Sequence, residues 1–209
     1  MVTHKKIIED VRGYYTEKIK GHGATPLGVD WNSAESQDLR FEQLAKVIDP
    51  DAGFFSIVDF GCGYGALVDF LKARRNGFEY TGFDISEKMI AEAAKKNPGT
   101  DAVRWVTDES SLAPVDYVVA SGLFNVRLSH ADDAWQQYIV DTLTSMNRLA
   151  QKGFAFNMLT SYSDKDHMKE YLYYADPAYY FDYCKTRFSK YVGLLHDYPL
   201  YEFTLLVKK

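Results

Sequence analysis

Polar and apolar positions divide the chain into two regimes. Ahead of Pro50 the apolar residues recur at helical steps. Ile7, Val11, Tyr14, Tyr15 and Ile19 make one stripe, which Gly21 and Gly23 then stop. A second helix is expected after Asn32, which with Glu35 three places later forms a capping pair, and Phe41, Leu44, Ala45 and Ile48 supply its buried face. These two helices make an N-terminal helical segment, 1–50, outside the sheet. From Ser56 onward short apolar runs alternate with helical stripes, the signature of a parallel sheet covered on both faces. The strand candidates are Ser56 to Phe60, Tyr80 to Phe83, Val103 to Val106, Asp116 to Ala120 and Gly153 to Met158. Helices are marked by Ala66, Leu67, Phe70 and Leu71, and by Met89, Ile90, Ala93 and Ala94. A further helix is capped by Asp133 and Gln136, with Trp135, Ile139, Leu143 and Met146 as its stripe. Tyr191 to Leu195 and Phe203 to Val207 are separated by a segment too short for a crossover, so they form a hairpin and the last strand is antiparallel. The class is α/β.

The turn after the first strand carries the chemistry. Val58-Asp59-Phe60-Gly61-Cys62-Gly63-Tyr64-Gly65 places glycines at every second position between a strand and a helix, so a ligand can lie against bare backbone. A dinucleotide turn needs G-x-G-x-x-G, and here the third glycine comes one position early. Asp59 would repel a diphosphate but suits a cation such as a sulfonium or an ammonium. About twenty residues on, Asp84 closes the second strand, where a carboxylate offers two acceptors to a ribose diol.

The octapeptide resembles the first motif of the class I S-adenosylmethionine-dependent methyltransferases, and the resemblance runs from about Phe55 to Lys209. It implies a Rossmann-like, mostly parallel seven-stranded sheet whose last strand is antiparallel, with helices on both faces over 55–209, in one domain covering 1–209. Its implied cofactor is S-adenosyl-L-methionine. Gly61, Cys62, Gly63, Tyr64 and Gly65 would face the methionine part, Asp59 its ammonium and Asp84 the ribose. Ile85 and Met89 would form an adenine face, Asp108 and Glu109 would meet the adenine amino group, and Ser121 and Leu123 would approach the sulfonium. Arg40 is a candidate for the methionine carboxylate, with a surface salt bridge as its alternative.

Charge and composition bound the acceptor. A formal charge of -5 and a pI near 5.5 leave no footprint for a polyanion. In place of the Asn-Pro-Pro-Tyr or Asp-Pro-Pro-Tyr of nucleic-acid amino methyltransferases stands Ser121-Gly122-Leu123-Phe124-Asn125. A small metabolite methylated at oxygen or nitrogen is therefore expected, with no nucleic-acid or membrane partner, and the chain as a monomer or homodimer. No apolar run reaches the length of a membrane span and no signal sequence opens the chain, so a soluble cytoplasmic protein is expected. Cys62 and Cys184 show no metal-ligand spacing, so no metal is expected, and Cys62 reads as a fitted small side chain rather than a nucleophile. Eight of the sixteen tyrosines lie between Tyr162 and Tyr191, which suits either an amphipathic binding surface or a covered sheet edge. His196 and His130 are candidate bases, each with a structural alternative, and Trp31, Asn125 and Tyr174 are candidate pocket walls. Two other readings stay open: a cofactor-binding regulator or inactive partner protein, and a nicotinamide-dependent oxidoreductase.

Overall fold

The computed structural model describes residues 2–75 and 77–209. Helix α1 (Val2–His22) buries Ile7, Val11 and Ile19. It ends where Gly23 takes a φ of 66° and donates its N–H to the Ile19 carbonyl at 2.9 Å. A short 3-10 turn, Pro26–Val29, leads to α2 (Ala34–Ala45). Its cap is Ser33 and not Asn32: the Ser33 backbone is extended and its hydroxyl accepts from the Ser36 N–H at 3.1 Å. Glu35 falls in the first turn, where its charge faces the positive end of the helix dipole.

Seven strands follow: β1 (Phe55–Phe60), β2 (Phe78–Phe83), β3 (Val103–Val106), β4 (Val115–Ala120), β5 (Ala150–Leu159), β6 (Tyr191–Leu195) and β7 (Glu202–Lys208). They form one sheet in the order β3-β2-β1-β4-β5-β7-β6. Pairings among β1 to β5 are parallel, and β7 runs antiparallel to both β5 and β6. The chain therefore reverses direction across the sheet between β1 and β4, and a crevice opens there at the carboxyl ends of the strands.

Helices α3 (Ala66–Lys72), α4 (Glu87–Lys96) and α5 (Asp132–Leu149) fill the crossovers. Alternate residues of the central strands serve opposite faces. Val58, Val118, Phe154 and Phe156 pack with α1 and α5 through Val11, Trp135, Ile139 and Met146. Ile57, Val119 and Ala155 pack with α2 and α3 through Phe41, Leu44, Leu67 and Val68. Both faces are thus dry, which is why these strands read as continuous apolar runs.

Two expectations about helices are corrected. Asp133 does not cap α5; the helix starts at Asp132 after an extended Ala131, and both acids sit in its first turn. A sixth helix, α6 (Pro177–Arg187), occupies part of the tyrosine-rich stretch, capped by Asp176, whose carboxylate accepts from the Ala178 N–H at 2.9 Å. The tyrosines divide between the two readings. Tyr180, on the inner face of α6 with Cys184, is fully buried, whereas Tyr162 and Tyr191 are exposed. No helix among the described residues is long and apolar enough to cross a membrane. No group of three or more metal-ligating side chains is found among them either.

Candidate active site

The β1–α3 turn is built on backbone that glycine adopts most readily. Gly63 and Gly65 take φ values of 54° and 77°, and a Cβ at Gly65 would lie 2.4 Å from the Trp105 ring. The turn is tied to the end of β2: the Gly61 and Cys62 N–H groups both donate to the Phe83 carbonyl, at 2.8 and 2.9 Å.

Asp84 is fixed by the same junction. Its Oδ2 accepts from the Gly63 N–H at 3.0 Å and its Oδ1 from the Ser86 N–H at 2.8 Å. Each oxygen keeps a lone pair for a ligand hydroxyl. Burial raises the Asp84 pKa to about 6 even though both amides oppose the shift. Asp59 is almost completely buried at the end of β1 and accepts from the Tyr80 hydroxyl at 2.7 Å. Burial lifts its pKa to about 7, the Tyr80 bond opposing and the nearby Asp84 charge adding. Neither carboxylate has a cationic partner within ion-pair distance among the described residues. Cys62 is buried with its thiol pushed well up by burial, so it is a protonated filler of the turn.

These groups open into a cavity of about 850 Å³, open solvent at its mouth included. Asp59, Gly61, Cys62, Gly63, Tyr64, Asp84, Ile85, Met89, Ser121 and Leu123 line it, together with Trp31. Gly65, the N-cap of α3, is not part of the lining. The N-terminal segment supplies a wall that the sequence reading missed, formed by Val11, Arg12 and Tyr15 of α1 and Val29 of the 3-10 turn. The available signal was that Tyr15 lies on the same helical stripe as Val11, facing inward. Arg12, at the mouth, has no acidic side chain within ion-pair distance among the described residues. The Ser121 hydroxyl is buried against the cavity with no hydrogen-bond partner. A buried acidic pair without a cation, an unpartnered hydroxyl and a bare turn together fit a cationic, polyhydroxylated ligand.

A closed ring of contacts stands beside this cavity. Gly122, with φ 68°, follows β4 and donates its N–H to Asn157 Oδ1 at 2.8 Å. The Asn157 amide donates to Glu202, whose carboxylate takes a forked grip from Arg40 at 2.7 to 3.0 Å. The Arg40 guanidinium lies 3.9 Å from the Trp31 ring centroid, and a Cβ on Gly122 would come within 2.2 Å of that indole. Trp31 and Gly122 also border a second cavity, into which Arg40, Asn125 and Tyr174 face.

Several candidates lie elsewhere. Arg40 is committed to Glu202 and does not line the cofactor-type cavity. Asp108 spends its carboxylate on the Ser110 amide and hydroxyl, and Glu109 points to Arg148 at 3.9 Å. His196 packs its ring against Tyr162 and Phe203. His130 lies over Trp135 with its Nε2 3.2 Å from Asp10. Neither histidine reaches either cavity.

Comparison with known proteins agrees with this geometry. Residues 58–153 match the model of a methyltransferase domain family. The Mycobacterium tuberculosis (strain ATCC 25618 / H37Rv) protein named "Putative methyltransferase Rv1506c" is 51% identical over 167 residues, 80% of this chain and 98% of its own length. The chain therefore belongs to the class I S-adenosylmethionine-dependent methyltransferases. Among solved structures, the fold resembles magnesium protoporphyrin IX methyltransferase (ChlM) from Synechocystis PCC 6803 with bound SAH, at TM-score 0.62 and 18% identity over 84% of each chain. It also resembles the DhpI-SAH complex, at TM-score 0.64 and 15% identity over 97% of each chain.

Proposed function

We propose that this chain transfers a methyl group from S-adenosyl-L-methionine to an oxygen or nitrogen of a small molecule. The observation that carries the reading is the pair of buried, cation-free carboxylates, Asp59 and Asp84, at the glycine turn. When bound, S-adenosyl-L-methionine supplies a methyl group already activated by positive sulfur.

The work left to the protein is binding and alignment. Asp84, held by two backbone amides, would accept both hydroxyls of a ribose, and Asp59 would meet the ammonium. Ile85 and Met89 offer an apolar wall for a purine. Ser121 stands ready to donate or accept at the end of β4. Arg12 is the forked cation at hand for a carboxylate, because Arg40 is already held by Glu202. The second cavity on the far side of Trp31 and Gly122 supports a small acceptor approaching along that side. His130 and His196 lie outside both cavities, while His22 and His167 line the second, so the chain's main contribution to transfer is positioning, with an imidazole at hand on the acceptor side to take a proton.

The test is release of S-adenosylhomocysteine when protein and S-adenosyl-L-methionine are incubated with a fractionated small-molecule extract. Release in a fraction below protein size, with a mass gain of one methylene in a component of that fraction, is the expected result. Product formed only with nucleic acid or protein would overturn the small-molecule acceptor.

A further inference from the structure

The second cavity identifies a kind of acceptor. It encloses about 1280 Å³, open solvent included, and shares Tyr15, Val29, Trp31 and Gly122 with the first. Its lining mixes polar side chains with aromatic and aliphatic ones, among them Trp31, Tyr171, Tyr174, Leu159 and Leu172. Leu27 and Tyr201 stand at the rim 54% and 43% exposed, apolar area that a ligand would cover. Tyrosine and tryptophan walls of this sort hold planar bodies by stacking and leave hydroxyls for polar edges.

The charges in the lining are unequal once their pairings are followed. Both of its acids are neutralised: Asp30 takes Lys18 at 2.6 Å, and Glu202 takes Arg40 at 2.7 Å. Lys169, also in the lining, has no acidic partner within ion-pair distance among the described residues, and His22 and His167, in the lining too, are exposed. Outside the lining, Asp164, which accepts the Tyr201 hydroxyl, and Asp166 keep their negative charges near that rim residue. Among the described residues, the lining cation left without an acidic partner is Lys169, which favours an anion at that point of the wall, in a chain whose overall charge is -5.

Resting on the methyl-transfer reading above, we propose that the acceptor is an amphipathic anion: a flat, largely apolar body bearing one carboxylate, sulfonate or phosphate group. The apolar body would lie between Trp31 and the tyrosines, and the anionic group would face Lys169 at the mouth.

The probe is 8-anilinonaphthalene-1-sulfonate, followed by fluorescence on protein saturated with S-adenosylhomocysteine so that the first cavity is closed to it. N-phenyl-1-naphthylamine, the same body without the sulfonate, is the neutral control. The expected results are tighter binding of the sulfonate, and a loss of about fivefold in its affinity on Lys169→Glu while the neutral probe changes by less than about twofold. Leu27→Glu should weaken both probes, which localises them to this cavity. Equal affinity for the two probes, or sulfonate binding indifferent to Lys169, would overturn the proposal. The two failures are separable. Absence of S-adenosylhomocysteine binding by calorimetry strikes the cofactor reading, whereas normal binding of it with charge-blind probe binding strikes this one alone.

Discussion

Two arginines near the site show how much a residue's partner decides its role. Arg40 has the forked geometry that a carboxylate wants, but Glu202, 162 positions away in sequence, already takes three of its donor contacts. Arg12 sits on the wall of the first cavity without such a partner. Replacing it should therefore affect only ligands that carry the amino-acid portion. We expect Arg12→Ala to weaken S-adenosylhomocysteine by about tenfold, the size of one charge-assisted hydrogen bond, and to leave 5′-methylthioadenosine unchanged. Calorimetry on both ligands checks this, and an equal loss for the two would place Arg12 against the nucleoside instead. The family resemblance puts Arg40 forward, as a forked cation on a helix ahead of the glycine turn, with a surface salt bridge as its alternative. Nothing local to either arginine reveals which one has its acid.

At the scale of elements, α2, β4, β5 and β7 are locked together through the ring of Gly122, Asn157, Glu202, Arg40 and Trp31. The Arg40–Glu202 pair is buried on both sides, with 8% and 1% of the side chains exposed. Removing one partner leaves an unpaired buried charge, a cost of about 3–5 kcal/mol. Glu202→Ala should accordingly lower the midpoint of thermal unfolding by roughly 6–20 °C, a shift readable by circular dichroism. A shift of less than about 3 °C would mean that the ring is not what ties β7 to α2. The strands were legible in the sequence because both sheet faces are dry and the runs stay apolar. The glycine turn and Asp84 were legible too, because their spacing lies within one β–α–β unit. The ring was not, since its members come from four distant segments and each alone is an ordinary polar residue. Helix α6 was passed over because its tyrosines gave no apolar stripe, although Asp176 before Pro177 marks its start. The Ser33 cap was missed by one residue for a similar reason: adjacent Asn and Ser are equally good caps on paper.

For the whole molecule, the parallel pairing of β1 with β2 brings two carboxylates to one end of the sheet, beside its reversal between β1 and β4, and burial then makes both reluctant to ionise. Their folded pKa values, about 7 for Asp59 and about 6 for Asp84, lie above the ordinary 3.8. The folded, ligand-free protein thus binds more protons than the unfolded chain between about pH 4 and 7, so these groups make it less stable as the pH rises through that window. A cation in the cavity favours the ionised carboxylates, and its affinity should rise over the same window as protons are displaced. Titration calorimetry of S-adenosyl-L-methionine into the folded protein tests this most directly. We predict one site, bound about tenfold more tightly near pH 8 than near pH 5. Absence of binding at both pH values, or tighter binding in acid, would contradict the assignment of this cavity to an adenosyl sulfonium.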